Sequence, residues 1–310
     1  MLLPQWFDTA DVPVKVALIA AFVALATSAL TIAHSLFGAP LKYWLEKKAL
    51  RNKLATEYEY DQRKSLRTLI AKYQGRMVET AEVLNHRMWN LYQNESKGWL
   101  DASGRYADAH YYFRSWAYRF LNFIAMTRLF EKEAIFIDSK IAEKSDLDFI
   151  KYVKAFGWAT CDVALFSGVQ YDDFRQKDHF FRDSLRHICD ACCKEGNFLD
   201  QEEIHRLLNN SDYQSVYRFF DGLKKDENRL RWDRLVVVDL LLMAFLNSFG
   251  YDMQRSSLED FNTTVGRVKH AQILRNLSSW LSKLGLEKEA GAHSIRLAIE
   301  SRLAKGEKAA

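Results

Sequence analysis

The chain is expected to be all-α, and three observations carry that expectation. Pro4, Pro13 and Pro40 are the only prolines among 310 residues, so some 270 residues lack the side chain that most often breaks helices or fills β turns. Leu, Ala, Lys, Glu and Arg, which lose little on entering a helix, are plentiful. Candidate helix starts and stops also recur along the chain at helical spacing.

Composition narrows the class further. Hydrophobic residues make up 48% and charged residues 27%, with 20 Phe, 14 Tyr and 8 Trp, which is the balance of a chain that buries a core. A net charge of +4, spread over many acids and bases, gives no general phosphate-reading surface, and nucleic acid is not an expected partner.

The first element is apolar. Val16 to Phe37 is a run of 22 residues without a charge, about 33 Å long as a helix and sufficient for a hydrocarbon core of about 30 Å. It is read as one transmembrane span. A secretory signal peptide is the rival, with Ser35 to Ala39 resembling a cleavage site. That reading wants a positive segment before a shorter apolar core, whereas Asp8, Asp11 and a single Lys15 precede this run.

Lys42, Lys47, Lys48, Arg51 and Lys53 follow the span, so the positive side is C-terminal and the body is expected in the cytoplasm of a bacterial inner membrane, with the N-terminus outside. These five bases are candidate contacts for anionic lipid, and Tyr43 and Trp44 are candidate interface anchors. The four cysteines are accordingly expected as thiols. Ala20, Ala24 and Ser28 recur every fourth position, which permits close approach of two such helices and suggests a homo-oligomer. His34 reads as an interfacial residue near the cytoplasmic end.

From Leu41 to Asn94 only Gly75 punctuates the chain, predicting a helix of roughly fifty residues. Leu66, Ile70, Tyr73, Met77, Ala81, Leu84, Met88 and Leu91 alternate three and four apart, a seam suited to packing against the rest of the body. Asn94 to Arg105 reads as a loop. A second long helix is expected over Tyr106 to Lys140, its aromatic stripe of Trp116, Phe120, Phe123 and Phe130 serving as core. Arg114, Arg119 and Arg128 lie among these rings, either covering them or holding acids such as Glu131 and Glu133.

Further helices are expected over 147–171, 178–194, 201–208, 212–223, 231–249, 258–284 and 288–303. Asp200 with Glu203, Ser211 with Gln214 and Ser256 with Glu259 have the form of capping boxes, and Gly196, Gly222, Gly250 and Gly285 stand where left-handed backbone ends helices. Leu235 to Phe249 is too short for a second span and reads as a buried central helix, with Asp239 paired to an arginine. The closing GEKAA reads as a frayed tail. The domains expected are 1–40, an extracytoplasmic tip and anchor; 41–144, a long helical hairpin; and 145–310, a cytoplasmic helical domain.

Chemistry is hard to find in this sequence. Cys189 and Cys192 have C-x-x-C spacing, but a tetrahedral zinc site would need Cys161, His179 or His205 brought in by folding, and thioredoxin-type chemistry would need a preceding strand. Buried thiols account for them better, so no metal or other cofactor is assigned. The acid pairs Asp172/Asp173, Glu202/Glu203 and Glu259/Asp260 fall at turns or helix starts, where they complement the helix dipole. No catalytic residue is assigned. The expected function is a membrane-anchored helical interaction or scaffold protein working with an unidentified protein partner. The alternatives are a membrane-disrupting effector of a phage-defence or toxin-like system, and a metal- or lipid-dependent enzyme.

Overall fold

A computed structural model describes residues 11–135, 142–170 and 178–307, and it is all-α, 76% helical with a single short strand pair among the described residues. The chain divides into two compact units, Met1–Asp61 and Gln62–Ala310. The boundary falls within the first helix, α1 (Val12–Asn94). That helix absorbs Pro40, which cannot donate a backbone hydrogen bond one turn back to Leu36.

In the first unit α1 has no described partner. In the second unit the predicted seam is buried along its length, from Leu66 through Met77 and Leu84 to Leu91, and it packs within the chain. Polar side chains beside the seam fix its register. Tyr73 donates to Glu133 at 2.6 Å, the Arg76 guanidinium reaches the Gly196 carbonyl at 3.2 Å, and Asn85 donates to Asp239 at 2.8 Å.

A 3-10 turn at Glu95–Lys97 and a looped stretch lead to α2 (Tyr111–Ala134). It starts five residues later than expected because the His110 ring caps it, accepting from the Phe113 amide at 3.4 Å. The expected end at Lys140 lies outside the described residues. The aromatic stripe is core, with Phe120 against Phe220 at 5.1 Å and Phe123 against Phe156 at 4.6 Å between ring centroids.

The next helix, α3 (Lys144–Cys161), is shorter than predicted because Asp162 leaves the helical conformation and caps a 3-10 turn at Val163–Phe166; the predicted end at Tyr171 lies outside the described residues. α4 (Arg182–Ala191) ends three residues before Lys194. There the chain forms a hairpin of β1 (Cys193–Lys194) with β2 (Asn197–Phe198), which the sequence reading did not anticipate. Glu195 and Gly196 form its turn with φ of 52° and 77°, the double positive φ of a type I′ connection.

α5 (Gln201–Leu208) has the expected bounds and the Asp200/Glu203 capping box. α6 (Ser215–Phe220) is shorter than expected, and Ser211 and Gln214 form no box because the helix begins after Gln214. α7 (Arg231–Phe249) is the predicted central helix, buried from Arg231 to Leu246. Gly250, however, ends it in extended backbone at φ −84°, since its amide bonds straight back to the Leu246 carbonyl without a left-handed residue.

The single helix predicted over 258–284 is two, α8 (Leu258–Val265) and α9 (Ala271–Lys283), parted at Gly266. The cap of α8 is Ser257 with Asp260, one residue beyond the predicted Ser256 and Glu259. α10 (Ala290–Glu307) closes the described chain and packs on α7 and α8. It comes close enough that a Cβ at Gly291 would run into the Ala244 carbonyl oxygen of α7. The closing tail beyond Glu307 lies outside the described residues.

Candidate functional site

The residues singled out by sequence lie on the first unit of α1. Between Val16 and Leu36 every described side chain is exposed, including Phe22 at 68% and Leu25 at 71%, although apolar residues of this size are normally buried. This helix is long and apolar enough to cross a membrane. Its four hydroxyls, on Thr27, Ser28, Thr31 and Ser35, are satisfied internally. The Thr27 hydroxyl donates to the Val23 carbonyl at 2.8 Å, Ser28 to Ala24 at 2.8 Å, Thr31 to Thr27 at 2.8 Å and Ser35 to Ile32 at 2.9 Å. Hydroxyls bonded to their own helix cost far less in an apolar medium than free ones.

Ala20, Ala24 and Ser28 are exposed and fall on one side of the helix at four-residue spacing. Near its far end the His34 ring lies over Gly38, where a Cβ would collide with it.

Lys42, Lys47, Lys48, Arg51 and Lys53 are all exposed, and their spacing distributes them around the helix rather than along one face. Lys42 has Glu46 at 4.0 Å and Lys53 has Glu57 at 3.8 Å, whereas Lys47 and Lys48 stand over the rings of Tyr43 and Trp44 at 5.8 and 5.1 Å. The two rings themselves are more than half exposed. Geometrically this is an apolar rod followed by aromatic rings and a cationic ring.

In the second unit the best-formed cleft, about 340 Å³, lies between α2, α3 and α4. Ile124, Phe130, Val153 and Leu185 floor it, and Gly157 opens onto space that a Cβ would not fill. Arg128 and Arg186 on its rim are already held, by Asp190 at 3.4 Å and Glu131 at 3.6 Å. The acids paired with the arginines of α2 therefore differ from those expected. Arg114 takes Glu202 at 3.2 Å and Arg128 takes Asp190, while Glu133 serves Lys72 and Tyr73, because facing elements bring better-aligned partners than the same helix does.

Cys161 and Cys189 also reach this cleft. Burial raises both thiols, and it pushes Cys192 up to about 12, so these sulfurs remain protonated and poor nucleophiles at neutral pH. Among the described residues no three His, Cys, Asp or Glu side chains converge as a metal site. Glu202/Glu203 and Glu259/Asp260 sit in the first turns of α5 and α8, and Asp172/Asp173 lie outside the described residues.

Two buried carboxylates were not resolved by sequence reasoning. Asp239 has no arginine ion pair. It accepts from Asn85 and has the buried Tyr92 hydroxyl beside it, and burial pushes its carboxyl up to about 7. The Arg267 guanidinium, whose charge acts on Asp239, lies instead over the rings of Tyr92 and Trp89 at 4.3 and 5.8 Å. Asp233, fully buried, accepts from the Lys269 amide at 2.7 Å and meets Nδ1 of His270 at 2.6 Å. Both join α7 to its surroundings.

No protein-family model, curated protein or solved structure matches the chain.

Proposed function

We propose that this protein is a helical interaction module anchored in a bacterial inner membrane by α1, with the N-terminus outside and the Gln62–Ala310 unit in the cytoplasm. The observation that carries this reading is the exposed, uncharged stretch from Val16 to Leu36 with its hydroxyls already bonded, followed directly by Tyr43, Trp44 and the basic ring. In water that surface carries a large hydration penalty, and in a bilayer it carries none. The rings match headgroup depth, and the cations match the cytoplasmic leaflet. Ala20, Ala24 and Ser28 supply the face for self-association, and the helical unit recruits a protein partner.

The test is extraction and labelling of the full chain in cells. It should stay with membranes through alkaline carbonate. A cysteine introduced at Leu3 should react with an impermeant maleimide in intact spheroplasts, while Cys193 reacts only after lysis. Release by carbonate would sink the anchor, and labelling of Cys193 in intact spheroplasts would reverse the orientation.

A further inference from the structure

Three helices each turn one face to the cleft of about 340 Å³ between α2, α3 and α4. On α3, for example, Ile150, Val153, Lys154, Gly157, Trp158 and Cys161 line it at helical spacing. Its apolar wall is incompletely covered. Ile150 and Trp158 are half-buried, and Ile135, just after α2, is 75% exposed. No side chain fills the place beside Gly157, where a Cβ would meet no atom within 4 Å.

Most polar groups of this cleft are already engaged. The Thr127 hydroxyl donates to the Ile124 carbonyl at 2.7 Å and the Thr160 hydroxyl to the Phe156 carbonyl at 2.9 Å, each within its own helix. Arg128 is held by Asp190, and Glu131, the one carboxylate among the described lining residues, is held by Arg186. Lys154 and Arg182 differ. Both line the cleft and are exposed, and among the described residues neither has a carboxylate within ion-pair distance. Lys154 stands instead over the Trp158 ring at 5.8 Å. A ligand matched to these groups is hydrocarbon where it is enclosed, because no hydrogen bond awaits it there, and anionic at the end that meets the two cations.

We propose that this cleft binds a single-chain anionic lipid, with the acyl chain against Ile124, Phe130, Val153 and Leu185 and the head group held by Lys154 and Arg182. The chain covers apolar surface that water otherwise meets on Ile135, Ile150 and Trp158. One chain suits the volume, which lies at the small end of the range for ligand pockets, about 300–1,000 Å³. A guanidinium donates two hydrogen bonds to a carboxylate or to a phosphate alike, so the shared chemistry is an anionic oxygen head on one acyl chain. The inference rests on the Gln62–Ala310 unit alone and is independent of the anchor.

The test is photocrosslinking of the full chain in nonionic micelles with a decanoic acid that carries a terminal diazirine, the attached peptides being mapped by mass spectrometry. Attachment within 124–135, 150–161 and 182–189 should saturate and be competed by decanoate, whereas attachment to the apolar stretch of α1 should grow without saturating. Octanoate should compete roughly tenfold less well than decanoate, because two fewer methylenes are buried. Gly157→Leu fills the cleft and should abolish the saturable attachment while melting no lower than the native chain, since leucine favours a helix over glycine. Lys154→Gln combined with Arg182→Gln, both exposed, should leave the melting temperature unchanged and raise the decanoate needed for competition about tenfold. Competition by a ten-carbon lysophosphatidylglycerol separates the sources of the chain. Stronger competition than by decanoate assigns a phospholipid, and weaker competition assigns a free fatty acid. Attachment confined to α1, saturable attachment that survives Gly157→Leu, or equal competition by decanol and decanoate overturns the proposal.

Discussion

Between Val16 and Leu36 no described side chain of α1 is covered, while between Leu66 and Leu91 every third or fourth one is, yet both stretches belong to one unbroken helix. The backbone is the same, and the difference lies in how apolar residues are arranged. In the first stretch they point in all directions, so no single neighbouring element could cover them. In the second they form a seam, with polar residues such as Arg76 and Asn85 beside it to fix its alignment. A helix can thus be built once and stabilised by two different solvents, one being the rest of the protein.

The most severe way to break this comparison is to place a charge in each stretch. Met77→Asp puts an unpaired carboxylate in a fully buried position and should cost roughly 4 kcal/mol or more, read as loss of cooperative unfolding of the second unit. Leu25→Asp, at an exposed position, should leave that unfolding transition where it was. Its cost of about 3 kcal/mol should appear as a shift from the membrane to the soluble fraction. Equal loss of folding in both variants would abolish the distinction.

Asp239 sharpens the comparison, since it is a charge already buried against the second stretch. Its carboxyl titrates at about 7 in the folded chain, against about 3.9 for a free aspartate, so the folded state holds a proton that the unfolded state has released. Stability should therefore fall as pH rises from about 4 to 7, by a few kcal/mol in total, and level off above that range. Asp239→Asn keeps the shape of the protonated group and can still accept from Asn85. Its urea midpoint should be nearly equal at pH 5 and 8 and should exceed that of the native chain at pH 8. Parallel pH profiles for the two proteins would show that this carboxyl stays ionised.

Exposed charges should behave differently. Replacing Lys47, Lys48 and Arg51 by Gln should leave the urea midpoint unchanged and weaken phosphatidylglycerol binding to the full chain in nonionic micelles by about 1 kcal/mol per base. The smallest expected effect is at the glycines. Gly75→Ala adds a methyl into open space on an exposed helical position and should stabilise the second unit by about 0.5–1 kcal/mol. Gly38→Ala has no such gain, because the His34 ring must move to admit the methyl.

These contrasts also explain what could be read in advance. The seam through Met77 and Leu84 and the bounds of α5 and α7 follow from local period, capping and composition, which one sequence displays in full. The break between α8 and α9 was hidden because Phe261, Val265 and Val268 keep helical spacing past the end of α8, and Val268 is buried although it lies between the two helices. The hairpin after Cys192 has strands of two residues, too short to alternate visibly, and Glu195-Gly196 was its only signal. The partner of Asp239 lies 154 positions away at Asn85, and Arg87 meets Tyr112 from another helix. Pairings of that kind arise from tertiary packing and leave no mark in spacing.

Pro40 gives α1 one further property. With no proline N–H, the Leu36 carbonyl has no helical donor, and the turn from Leu36 to Pro40 holds together with one bond fewer than its neighbours. Load applied along or across a rod concentrates at its most compliant section. That section lies just before Tyr43 and Trp44, so any bending of α1 should concentrate at that place.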